Sequence, residues 1–284
     1  MNDHRGFASL RGRRFRLAGL FLAIFVLTPS GAESTAVPVR FPEGLTHGFL
    51  LVRSPAGDVV GQGELTQLVK EGGVTESRLI FHFKDGSLHD EKVAFSQQRV
   101  FTMIRYQLTQ RGPSFPEQME VVVDRGTSSY DIRVRTGEHG TEKVVSGDIE
   151  VPKDAYNGML ITTLLNLPKG ATETVNVLAF VPEPTAIALE LAFVGEQMIR
   201  IGEQSRRASQ YAFKPIIGPV KKFIGTMLGK LPPDFHYDCY ILADEVPAFV
   251  RFEGPLQLMG PVLTIELISP QVAAKGGDRT HVPR

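Results

Sequence analysis

The chain has 284 residues, with 31 basic and 31 acidic side chains, 42 % hydrophobic residues, one cysteine and no tryptophan. Residues 1–32 hold five Arg and one Asp, so the remainder has 26 basic against 30 acidic residues, a net charge near −4. That balance, with no dense basic stretch, argues against nucleic acid as a partner, because phosphates need a positive surface, and a lone Cys239 excludes an intramolecular disulfide.

The first residues read as an export signal. Arg5, Arg11, Arg13, Arg14 and Arg16 form a basic region, and Leu17 to Leu27 an apolar run. Thr28-Pro29-Ser30-Gly31-Ala32 follows, with small residues at the two positions a signal peptidase reads. The pattern predicts a signal peptide over residues 1–32, cleavage near Ala32 and a periplasmic or secreted destination. The run is too short for a spanning helix, which needs about twenty residues. No cysteine stands near the cleavage point to carry a lipid, and no later apolar run approaches the length of a span. The exported chain is therefore not expected to be an integral membrane protein.

Residues 33–47 read as an extended leader, residues 48–270 as one β-rich domain and residues 271–284 as a disordered tail. Phe49 to Arg53 and Val59 to Val69 are the first strands, the second with Gly61 and Gly63 marking a bend or bulge. Ser77 to Lys84 alternates, with Leu79, Phe81 and Phe83 on one face. Asp85-Gly86 is a signal for a two-residue hairpin turn. That turn would set His82 opposite His89. Val100 to Gln110 is a long strand with Val100, Thr102, Ile104, Tyr106 and Leu108 on one side. Phe101 and Met103 lie on the other, which makes part of it apolar on both sides.

Glu117 to Asp124 and Tyr130 to Arg135 form a further hairpin, followed by a weaker strand from Lys143 to Val151. Ala155 to Leu167 lacks alternation and reads as a short buried helix, with Asp154 placed to cap it. Strands resume over Thr172 to Val181, Ile187 to Val194, Met198 to Glu203 and Ala208 to Phe213. Pro219 to Leu231 has a helical period through Val220, Phe223, Ile224, Met227, Leu228 and Leu231. Tyr237 to Leu242, Ala248 to Phe252 and Val262 to Ile268 close the domain. Many short strands with one or two short helices predict a mainly β (α+β) fold. Its form would be a single curved antiparallel sheet, a half-barrel or open barrel.

Several runs resemble an uncharacterised family of exported bacterial proteins. They are Phe83-Lys84-Asp85-Gly86-Ser87, Ser96-Gln97, Arg111-Gly112-Pro113-Ser114-Phe115-Pro116 and Asp154-Ala155-Tyr156-Asn157-Gly158, then Gly229 to Asp234, Pro247 to Leu256, and Gly260-Pro261 with Ile265-Glu266-Leu267. In the last strand such proteins carry a Trp-Arg pair where this chain has Leu263-Thr264. The resemblance implies export and assigns no catalytic residue. A looser architectural analogy is to the half-barrel of periplasmic lipoprotein carriers.

Two imidazoles on one hairpin face could share a metal, so His82 and His89 are candidate ligands, although such a site normally takes three or four. Ser114 lies between prolines and lacks the strand–turn–helix setting of a nucleophile elbow. Cys239, inside a run of strand-forming residues, reads as a small buried hydrophobe. No catalytic residue and no cofactor motif emerges. The leading expectation is a non-catalytic envelope protein that holds a lipid-like or other apolar ligand against its curved sheet. Phe101, Met103, Phe223 and Met227 would line the groove. The rivals are an envelope interaction or assembly protein using a strand edge or loop, and a metal-dependent enzyme at His82 and His89.

Overall fold

The computed structural model describes residues 36–137, 140–180, 182–201, 204–216, 237–242, 246–257 and 260–268. The expected signal peptide, the Pro219–Leu231 helix with Phe223 and Met227, and the tail lie outside the described residues.

Fourteen antiparallel strands form one sheet. The first eight run β1 Thr46–Arg53, β2 Val59–Val69, β3 Val74–Phe83, β4 Leu88–Gln97, β5 Phe101–Arg111, β6 Glu117–Asp124, β7 Ser129–Thr136 and β8 Glu142–Asp148. Six more follow a crossover: β9 Glu173–Phe180, β10 Pro184–Ile201, β11 Gln204–Ile216, β12 Asp238–Leu242, β13 Ala248–Gly254 and β14 Leu263–Ile268. Each half is a meander, and β1 pairs with β14 to join them. The strand order is β8-β7-β6-β5-β4-β3-β2-β1-β14-β13-β12-β11-β10-β9, so the two free edges are strands consecutive in the chain. The sheet is open, as the many short strands predict.

Residues 149–172 must therefore link opposite edges. They do so across the inner face, which makes the connection the core of the molecule. Val151, Ala155, Tyr156, Met159, Leu164 and Leu167 are buried there against inward residues of β4 to β7 and β9 to β12. The curvature this requires is large. Tyr106 on β5 and Phe180 on β9 stand ten strand positions apart in the sheet order. A flat sheet would separate them by roughly 48 Å, yet their rings stack with centroids 5.9 Å apart.

Glycines and bulges allow the bend. A Cβ on Gly63 would collide with the Ile80 carbonyl oxygen and the Phe81 ring, so the ring covers the bare backbone of the neighbouring strand. Register shifts lie beside Gly61, at Val52/Arg53, and also at Ala94/Phe95, Phe193/Gly195 and Tyr240/Ile241.

The Ala94/Phe95 shift corrects the reading of β5. Met103 pairs with Phe95 and Arg105 with Ala94, leaving Ile104 as the extra residue. Before the bulge the odd residues Phe101 and Met103 face inward, and after it the even residues Tyr106, Leu108 and Gln110 do so. The strand is not apolar on both sides. It has one inner face whose parity switches.

The crossover corrects a second expectation. The helix is only α1, Leu160–Leu165, and Asp154 does not cap it. Gly158, at φ +69°, turns the chain before the helix starts. Ala155 instead bridges to Asn176 in parallel, and the Asp154 carboxylate accepts from the Asn176 side-chain amide at 2.7 Å. Asn157 pairs with both backbone groups of Leu178, at 2.7 and 2.9 Å. On the opposite side Arg125 donates to the carbonyls of Met103, Val151 and Pro152 at 2.6–2.7 Å. The Tyr156 hydroxyl accepts from the Val37 amide at 2.8 Å. The crossover is thus stapled to both halves of the sheet.

Candidate functional site

The packing of the crossover is incomplete over the middle of the sheet. A cavity of about 510 Å³ lies between α1 and strands β1 to β4, β13 and β14. Leu50, Leu65, Leu79, Phe81, Ile265 and Leu267 supply its floor from the strands, and Leu160, Ile161 and Leu165 its roof from α1. Its polar groups are few. Gln67 and Ser77 sit opposite each other on β2 and β3, and Glu43, His89 and Glu91 are its ionisable lining residues. Lys and Arg are absent from the described lining.

His89 and Glu91 reach the cavity because β4 alternates. The inward positions of that strand are His89, Glu91, Val93 and Phe95, so two polar residues occupy a face that is otherwise core. Asp90 and Lys92 point outward, and Asp90 accepts a two-pronged hydrogen bond from Arg78 at 2.8 and 2.9 Å.

His89 is buried between the Phe81 and Phe115 rings. The side-chain amide nitrogen of Gln110 lies 3.0 Å from its Nδ1 and 2.7 Å from the Leu256 carbonyl oxygen. A carbonyl can only accept, which fixes the orientation of the Gln110 amide. Its two hydrogens are then used on Leu256 and on Nδ1, and the His89 proton stands on Nε2. That Nε2 has no partner among the described residues. Burial pulls the imidazole down to about 4, which the nearby Asp90 carboxylate only partly opposes, so it is neutral.

The Glu91 carboxyl is enclosed by protein but keeps accessible surface, because it faces the hollow. Tyr106 donates to its Oε1 at 2.8 Å. Burial pushes its pKa up, and the Tyr106 hydrogen bond only partly offsets that. Glu43 is raised in the same way by burial, against a hydrogen bond with Thr162. Its backbone is tied to the Gln97 side-chain amide by bonds of 2.6 and 2.7 Å.

The expected site residues distribute otherwise. His82 and His89 do not face each other. His82 pairs with Leu88, and His89 with Phe81. The turn has three residues, Lys84-Asp85-Gly86. The Gly86 amide donates to the Phe83 carbonyl at 3.1 Å, and Gly86 takes φ +85°. One extra residue flips the parity of β4 relative to β3, leaving His82 in solvent and His89 in the core. Among the described residues no group of three or more His, Cys, Asp or Glu could hold a metal. Phe101 and Met103 are sealed against Val37, Phe95 and Tyr156 and do not border the cavity.

Ser114 is structural: its hydroxyl donates to Asp85 at 2.7 Å, and its amide to the Ser87 hydroxyl at 2.8 Å. Cys239 is buried and free, and burial pushes its thiol up, away from the thiolate a nucleophile needs. No helix among the described residues is long and apolar enough to cross a membrane. Comparison of the chain with family models, with curated proteins and with solved structures finds no match.

Proposed function

We propose that this is an exported, non-catalytic envelope protein that holds a lipid-like ligand between its curved sheet and the crossover. The observation that carries the reading is the cavity of about 510 Å³. It lies within the roughly 300–1,000 Å³ of small-molecule sites and has their character, apolar walls with a few convergent polar groups. The chemistry around it supports binding over catalysis. The imidazole is too weak a base to activate a nucleophile at neutral pH.

Export and the resemblance to exported bacterial proteins belong to this proposal, and they rest on the first 32 residues and the shared motifs. The rival reading, partner binding through a strand edge, draws less support. The exposed edge β8 carries Glu142, Lys143 and Asp148, the kind of charge that discourages strand addition.

Profiling what the purified protein carries, before and after delipidation, tests the reading. A co-purifying amphiphile and uptake of a fluorescent apolar probe are expected. Recovery of none, with no uptake, sinks it. Enlarging the occupied volume of the wall with Leu65→Trp should reduce uptake while the fold persists.

A further inference from the structure

The charge on the cavity lining is of one sign, and this says what kind of head group it suits. The inference rests on the carrier reading above. Glu43 and Glu91 border the same hollow, and no described Lys or Arg lines it. His89 cannot act as the missing cation, because it is neutral and its Nδ1 is already an acceptor for Gln110. Glu91 has one oxygen engaged by Tyr106, and its Oε2 has no partner among the described residues. A buried carboxylate without a counter-charge is costly, and it either takes up a proton or recruits a cation.

An acidic amphiphile would bring a second negative group to this carboxyl. A phosphate head would do the same, with no guanidinium or ammonium on the wall to receive it. An amine head would supply the charge the wall lacks and donate to the idle oxygen of Glu91. Its tail would lie along Leu50, Leu79 and Phe81.

We propose that the cavity selects amphiphiles with an amino head group, held at Glu91, over those with an acidic head. The Tyr106 hydroxyl is a positioning group, fixing the carboxyl so that Oε2 faces the ligand.

Three probes with one tail separate the possibilities: dodecylamine, dodecanol and dodecanoate, each below micelle formation and each displacing Nile red from the purified protein at pH 7.5. The amine should bind tightest and the acid weakest. Glu91→Gln keeps the shape and an acceptor for Tyr106. It should weaken the amine by roughly tenfold, about one charge-assisted hydrogen bond, and leave the alcohol unchanged. Glu43→Gln, made in parallel, should weaken the amine less. Preference for dodecanoate, or an amine affinity untouched by Glu91→Gln, overturns this inference and leaves the carrier reading standing. A protein that takes none of the three overturns both. Cooperative thermal unfolding of each variant confirms that the comparison is made on folded protein.

Discussion

The Tyr106 ring stacks on Phe180 with an interplanar angle of 10° while its hydroxyl donates to Glu91. One side chain therefore joins the two halves of the sheet and orients the cavity carboxyl. The two tasks separate by substitution. Phe180→Ala removes the ring across the gap and should cost about 2–4 kcal/mol, as large-to-small aromatic changes in packed sites do. Tyr106→Phe keeps the stack and removes the donor. It should cost about 1–2 kcal/mol and raise the Glu91 pKa further, since its one stabilising hydrogen bond is lost. Urea denaturation gives the first pair of values. Carboxyl titration by NMR gives the second, and a Glu91 pKa that falls in Tyr106→Phe would contradict the argument.

Arg125 should be among the more sensitive polar residues. Its guanidinium holds three carbonyls, two of them on the crossover. Arg125→Met keeps the stem but abandons all three acceptors, at an expected cost of about 3 kcal/mol. Arg125→Lys should recover only part of that, because an ammonium cannot reproduce the planar fork. Hydrogen exchange in residues 149–158 should quicken in both variants. Unchanged protection there would show that the crossover is held by its apolar packing alone.

The corrected hairpin register has its own consequence. His82 is exposed and His89 is core, so they should behave as unrelated residues. His82→Ala should change stability by less than about 0.5 kcal/mol. His89→Ala opens a void and strands the Gln110 amide, at about 2–3 kcal/mol. A chelator should leave the melting temperature of the protein unchanged. A drop on chelation that His82→Ala abolishes would restore the metal reading.

Much of the sheet was legible because period-two alternation is a direct record of burial. Leu79, Phe81 and Phe83 do face inward together. What alternation cannot record is a change of parity. The bulge at Ile104 carries no glycine to announce it, and Asp85-Gly86 serves a two-residue turn and a three-residue turn equally well. Each ambiguity amounts to one residue, and each moves a whole strand face. The cavity was harder to read, since its walls come from segments as distant as Glu43 and Leu267. One signal was nevertheless present. Once Val93 and Phe95 are taken as inward, His89 and Glu91 fall at inward positions too, and polar residues on the core face of a strand mark either a network or a site.

His89 makes stability depend on pH in a direction that can be worked out. The unfolded chain takes up a proton near 6.5, while the folded imidazole resists until about 4. Below 6.5 the unfolded state therefore binds more protons, and stability falls as pH is lowered. The contribution is fully present above 6.5 and is lost between 6.5 and 4, by about 3 kcal/mol in all at 1.36 kcal/mol per pH unit. Glu91 and Glu43 act with the opposite sign. Their raised pKa values favour the folded state in acid and are paid for as pH rises beyond the ordinary carboxylate value of 4.5. A bare pH profile mixes these terms, so the test is a difference. Wild type and His89→Gln should diverge between pH 6.5 and 4, with the wild type losing stability relative to the variant. The groups touching the ring, Gln110, Phe81 and Phe115, do not titrate, and the Asp90 carboxylate, on the other side of β4, only partly opposes the effect of burial. A constant difference across that range would mean that the folded imidazole takes up its proton near the ordinary value, which would overturn the reading of His89 as a buried, neutral ring.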